Sequence, residues 1–228
     1  MREIVFDTET TGLDPQSGDR MVEIGCVELV NRVETGATFH AYFNPQRDMP
    51  AQAEAVHGLS AAFLSDKPLF GALADDLLAF LGDAPLIAHN AAFDFGFLNT
   101  ELAKCGREPV SLERMIDTVA IARRKHPGAK LSLDALCSRY GVDRSHRVKH
   151  GALLDAELLA QVYVELTGGR QIGLALAAES GIATEKVSLS VASVERAFRA
   201  PRPHAASAEE LARHQAFIKQ MASPMWSK

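Results

Sequence analysis

The sequence predicts an α/β fold, a mixed central sheet flanked by helices, followed by a flexible C-terminal tail. Three strand-like runs crowd the N-terminal region, at about 3–8, 22–30 and 36–43. Helical patterns then alternate with two short apolar runs, which is how a sheet acquires crossover connections. A composition shift after Gly168 and Gly169 marks where the compact domain ends.

Each element has its own signal. Ile4, Val5 and Phe6 form a buried strand; Val22 to Val27 form a second, reached through the turn-rich Asp14-Pro15-Gln16-Ser17-Gly18. With the third run they predict an antiparallel meander. Phe70, Leu73, Leu77 and Leu81 space an amphipathic helix over 69–81. A strand at 85–88 leads into a helix over 91–104, and a short strand near 114–117 precedes helices over 118–125, 132–140 and 152–166. Asp117 is placed to cap the first of these. Residues 170–206, with Ser, Ala, Arg, Pro201 and Pro203, read as a linker. Within 207–228, Ser207 and Glu210 make a capping box ahead of Leu211, Phe217, Ile218 and Met221, and Trp226 follows near the end.

Composition excludes some classes. In 228 residues, 47% are hydrophobic, enough for a globular core. No run approaches the ~20 apolar residues that span a bilayer, and the chain enters a strand at once, so no membrane association and a cytoplasmic location are expected. Cys26, Cys105 and Cys137 are widely spaced and read as reduced core thiols. The net charge of −5 argues for modest affinity toward free nucleic acid, so such a ligand would need metals, a local basic patch or a partner that delivers it. Candidate patches are Arg123, Arg124, Lys125 and Lys130, and Arg139, Arg144, Arg147 and Lys149.

Five residues carry chemistry. Asp7 and Glu9, two apart on a strand, project from the same side. Two anions held this closely repel unless a cation offsets them, and an oxygen cluster suits Mg²⁺ or Mn²⁺. Asp94 falls in the first turn of the helix over 91–104, and Asp155 early in the helix over 152–166. His150 lies five residues before Asp155, roughly 140° around an ideal helix, so it belongs to the preceding loop with Gly151 making the turn.

Asp-Thr-Glu-Thr-Thr-Gly-Leu, Val-His-Gly-Leu, His-Asn-Ala-Ala-Phe-Asp and His-Gly-Ala-Leu-Leu-Asp follow one another in that order. Across residues 2–169 this resembles the DEDDh 3′–5′ exonucleases, most closely the epsilon-type proofreading subunits of bacterial DNA polymerase III. The resemblance implies a ribonuclease H-like exonuclease fold over 1–169 and two divalent ions, Mg²⁺ or Mn²⁺, held by Asp7, Glu9, Asp94 and Asp155. His150 would be the general base, and the substrate a single-stranded or frayed DNA 3′ end losing nucleoside 5′-monophosphates. Thr8, Thr10, Leu13, Val56, His57 and Phe93 would border the terminal nucleotide, although each also suits a structural role: strand and core packing, or a turn cap at His57 before Gly58.

In the tail, Gln171, Leu174 and Leu176 resemble a short peptide that engages the sliding clamp. The segment 207–228 would dock on the polymerase III catalytic (alpha) subunit, and a small theta-like accessory subunit is a further partner the resemblance leaves open. Two other readings stand beside this one: a stand-alone DEDDh exonuclease in RNA trimming or DNA repair, and a non-catalytic scaffold of the replication complex. The repulsive acidic cluster argues against the scaffold.

Overall fold

The computed structural model describes residues 1–147, 149–169 and 205–221. The chain divides into two units, Met1–Leu176 and Ala177–Lys228. In the first, β1 (Arg2–Thr10), β2 (Met21–Val30) and β3 (Val33–Tyr42) form the expected meander. Next come α1 (Ala51–His57), α2 (Ala61–Leu64), α3 (Phe70–Leu81), β4 (Leu86–Ala88), α4 (Ala91–Lys104), β5 (Met115–Asp117), α5 (Thr118–Lys125), α6 (Leu133–Tyr140) and α7 (Ala152–Leu166). The sheet order is β3-β2-β1-β4-β5, antiparallel through the meander and parallel from β1 to β4 to β5. This is the mixed sheet expected from the sequence.

Alternation along β1 sorts the core into two layers. Ile4 and Phe6 pack with Phe70, Leu77, Phe95 and Leu98 of α3 and α4. Val5 faces the other way, with Leu136 of α6 and Leu159 and Val162 of α7. Asp7 and Glu9 continue the Val5 side and therefore emerge on the α7 face.

The structure departs from the sequence expectation in two places. β3 begins at Val33 rather than 36, because Asn31 and Arg32 adopt positive φ (52° and 65°) and close a two-residue hairpin turn. Its first residues are exposed, so no apolar alternation announces them. Helices α1 and α2, of 7 and 4 residues, are too short to display a helical period.

Among the described residues no helix is long and apolar enough to cross a membrane. Cys26 and Cys137 are buried free thiols, as expected, whereas Cys105 is only half-buried at the end of α4. In the second unit the described residues form α8 (Ala208–Lys219). Its capping box is present: the Ser207 hydroxyl accepts the Glu210 amide at 3.2 Å, and the Glu210 carboxylate accepts the Ser207 amide at 2.8 Å. Leu211, Phe217 and Met221 are exposed. The clamp-like peptide at 171–176, most of the linker and Trp226 lie outside the described residues.

Candidate active site

Three kinds of element end at one place. Asp7 and Glu9 leave β1 opposite Gly25 and Glu23 of β2, and the register shifts between Glu9 and Thr10, so regular pairing stops beside the carboxylates. Asp94 and Asp155 occupy the first turns of α4 and α7, where the unpaired amides and the positive end of each helix favour an anion. His150 is in the loop before α7, as the spacing requires, with its side chain 48% exposed. A cleft of about 290 Å³ is lined by Asp7, Glu9, Asp94, His150 and Asp155 together.

Helix α7 reaches the sheet through Gly25, where a side chain would collide with the backbone of Ala152 and Leu153. That close approach brings Asp155 over β1. Asp94 is fixed from the sheet side: the Thr8 hydroxyl donates to its Oδ1 at 2.7 Å in a buried contact. The expectation for Thr8 is thus refined, since its hydroxyl holds an acidic residue while its backbone continues the strand.

Electrostatics follow from this crowding. Burial raises Asp7 well above the carboxylate range, and Asp94, Glu9 and Asp155 push the same way. Burial, then Asp155 and Glu23, raise Glu9 to about 8. Asp94 is raised by burial to about 7 despite the opposing Thr8 hydrogen bond. Carboxyls this reluctant to ionise are short of positive charge, and a divalent cation supplies it. Glu9, His150 and Asp155 each offer a ligand atom within 4.8 Å of the others. A mainly carboxylate donor set fits Mg²⁺ or Mn²⁺.

Arg147 enters this cluster, and sequence reasoning placed it only in a basic run. Its Nε and Nη2 donate to Asp155 Oδ1 and Oδ2 at 2.5 and 2.7 Å, Nη1 donates to Asp134 at 3.0 Å, and Nη2 donates to His150 Nδ1 at 2.8 Å. The signal available was its position three residues before His150. Two of the other basic residues do local work: Lys125 donates to the final carbonyls of α7, and Arg144 pairs with Asp134.

A second cleft of about 540 Å³ shares Thr8, Glu9 and Phe93 with the first. All six residues expected to border a nucleotide, Thr8, Thr10, Leu13, Val56, His57 and Phe93, line it, joined by Gln52 and Ala53, which the sequence reading did not single out. Leu13 and Val56 are exposed, at 84% and 48%, so apolar surface is offered here. His57 is buried; its Nδ1 accepts the Leu59 amide at 3.0 Å, which agrees with the turn-cap role, and its Nε2 has no hydrogen-bond partner. The His150 amide donates to the Val56 carbonyl at 3.3 Å and ties the two clefts together. His89 also lines the acidic cleft, and its Nδ1 is bonded to the Thr118 hydroxyl at 2.9 Å. Asp117 caps α5 by accepting the Val119 amide at 3.0 Å.

The family model described as exonuclease matches residues 4–163. A relative from Rickettsia felis, named DNA polymerase III subunit epsilon, is 50% identical over 228 residues that cover 97% of each chain. The Escherichia coli protein of that name is 40% identical over 236 residues, covering 99% of this chain and 97% of that one. Among solved structures, exonuclease X in complex with 5′ overhanging duplex DNA is similar with a TM-score of 0.57 and 27% identity, over 72% of this chain and 90% of that chain. The nuclease domain of 3′hExo, a DEDDh family member bound to rAMP, shares the fold with a TM-score of 0.63 at 18% identity, over 73% of this chain and 91% of that chain. With four carboxylates and a histidine gathered in one cleft and these likenesses along nearly its whole length, the chain belongs to the exonuclease family, in the branch of the DNA polymerase III epsilon subunits.

Proposed function

We propose that this chain is the proofreading 3′–5′ exodeoxyribonuclease subunit of a replicative DNA polymerase, hydrolysing mispaired 3′-terminal nucleotides. The convergence of Asp7, Glu9, Asp94, His150 and Asp155 in one cleft, continuous with a second that can receive a nucleotide, carries this reading.

Two divalent ions, Mg²⁺ or Mn²⁺, held by Asp7, Glu9, Asp94 and Asp155, would supply Lewis-acid charge to the scissile phosphodiester. The chain's own residues do the rest. His150 takes a proton from the attacking water, the water oxygen bonds to phosphorus, and the bond to the 3′ oxygen of the penultimate nucleotide breaks. That oxygen is protonated as it leaves, and the terminal residue departs as a nucleoside 5′-monophosphate. Thr8 keeps Asp94 oriented. Leu13, Val56 and Phe93 offer apolar contact to the terminal base, while Thr10 and His57 border it with polar groups. Stacking and phosphate contact carry little base identity, so preference for a mismatch arises from fraying of the unpaired end.

Partners follow from charge and from the tail. A protein of net charge −5 gains from having its strand delivered. Segment 207–228, with the apolar residues of α8, docks on the polymerase catalytic subunit, and Gln171, Leu174 and Leu176 engage the sliding clamp. The deciding experiment is digestion of 5′-labelled DNA and RNA oligonucleotides by the full chain with Mg²⁺ or Mn²⁺, with EDTA and Asp7→Ala as controls. Metal-dependent shortening of DNA from its 3′ end, absent in both controls, is expected. Preferential trimming of RNA would replace this reading with that of an RNA exonuclease.

A further inference from the structure

We propose that Arg147 is a positioning residue that stands where a divalent ion would at Asp155, keeping the site assembled until the ion takes that carboxylate from it. This rests on the metal-dependent nuclease reading above. Arg147 engages both oxygens of Asp155, at 2.5 and 2.7 Å, so positive charge already stands at the carboxylate where a cation would bind. Asp155 is buried, and it belongs with Glu9 and His150 to the cluster whose ligand atoms lie within 4.8 Å of one another. Each oxygen keeps a second lone pair, but a guanidinium and a divalent ion held on one buried carboxylate repel each other, so loading the ion weakens the pair and drives the guanidinium off Asp155.

The remaining contacts give Arg147 somewhere to go. Nη1 already donates to Asp134 Oδ1 at 3.0 Å, and the Asp134 side chain is 46% exposed at the start of α6. Nη2 also donates to His150 Nδ1 at 2.8 Å and so occupies the lone pair of that nitrogen. Withdrawal from Asp155 therefore frees the imidazole as well. A single side chain thus links occupancy by the ion to availability of the base. The chain segment supports such a movement: Arg147 lies between α6 and α7, outside any helix or strand.

The test measures Mn²⁺ binding to the full chain by electron paramagnetic resonance of free Mn²⁺, together with thermal melting with EDTA or saturating Mn²⁺. Arg147→Met removes the competing charge but keeps a stem of similar length. It should tighten Mn²⁺ binding roughly tenfold, because the ion no longer displaces a charge-assisted pair. It should also lower the melting temperature in EDTA, with the deficit closing in saturating Mn²⁺. Arg147→Lys, which keeps the charge without the fork, should fall between Met and wild type in both measurements. Unchanged or weaker Mn²⁺ binding by the Met variant, or a melting deficit equal with and without Mn²⁺, overturns the exchange and leaves Arg147 an ordinary structural pair. Failure of the wild-type protein to bind Mn²⁺ would instead sink the metal-dependent nuclease reading, and this inference with it.

Discussion

Gly25 of β2 lies directly against Leu153 of α7: a Cβ built on it would stand 2.2 Å from the Leu153 amide nitrogen. The obstacle is helix backbone, which cannot swing aside as a long side chain can. Because Gly25 is paired with Asp7 across the sheet, and α7 carries Asp155, this contact sets the separation of two of the acidic residues. Gly25→Ala should therefore displace the start of α7. We expect a loss of roughly 1–3 kcal/mol in denaturant unfolding and a fall of at least about tenfold in metal-dependent hydrolysis, one decade per ~1.4 kcal/mol of barrier. Wild-type activity in this variant would show that α7 does not set the acidic geometry.

The raised carboxyls predict how stability varies with pH. Glu9 titrates at about 8 and Asp94 at about 7 in the folded chain, against roughly 4.3 and 3.9 for unfolded Glu and Asp. The unfolded chain releases these protons first, so the stability they contribute is complete below about pH 4 and is lost as pH rises through the folded values. In EDTA, the melting temperature should fall between pH 5 and 9. In the metal-dependent reading proposed above a divalent cation takes the ionised carboxylates, so the stabilising shift on adding Mg²⁺ should grow over the same interval. A shift equal at pH 5 and pH 9 would separate the titrating carboxyls from the cation site.

Much of this site was legible in the sequence because its geometry is local. Residues 7 and 9 of one strand must share a face, and five residues of helix place His150 and Asp155 on different sides, so the loop position of His150 follows. What the sequence concealed depends on chain segments far apart. Nothing in Val22 to Val27 reveals that Gly25 meets α7, and helices of 7 and 4 residues leave no periodic trace. Arg147 reads as one more basic residue until folding places Asp155 and Asp134 on either side of it.

Gly58 follows His57 of the second cleft, proposed to receive the terminal nucleotide, and packs against the loop of His150 through Lys149. Its φ is +77°, and a Cβ there would stand 2.6 Å from Cδ and 2.8 Å from Nζ of Lys149. Gly58→Ala thus combines backbone strain with a clash against a flexible side chain, next to the bond from the His150 amide to Val56. We expect a fall in kcat with Mn²⁺ affinity unchanged. Adding Lys149→Ala should recover the part due to the clash and leave the part due to strain. Full recovery in the double variant would mean that backbone strain contributes nothing; no loss in the single variant would mean that the loop is positioned independently of this turn.

His150→Gln tests the base directly. Its ring is half-exposed, and the contacts of its Nδ1, with Arg147 at 2.8 Å and with Asp155 at 3.3 Å, are polar ones that a Gln amide can replace, so melting and Mn²⁺ binding should stay near wild type. Turnover should drop by about 10²–10⁴, the usual contribution of a positioned proton acceptor. Retention of wild-type turnover would move that role to another group.

The tail separates proofreading subunit from free-standing nuclease. Helix α8 has 12 residues and exposes Leu211 and Phe217; isolated helices shorter than ~12–15 residues are marginal in water, so this one gains from a surface to pack against. Deleting 207–228 should abolish co-elution with the polymerase catalytic subunit while leaving digestion of single-stranded DNA intact, because the acidic cluster lies wholly within the first unit. Joint loss of both would make the tail part of the nuclease fold. Co-elution that survives the deletion would place the polymerase contact elsewhere on the chain.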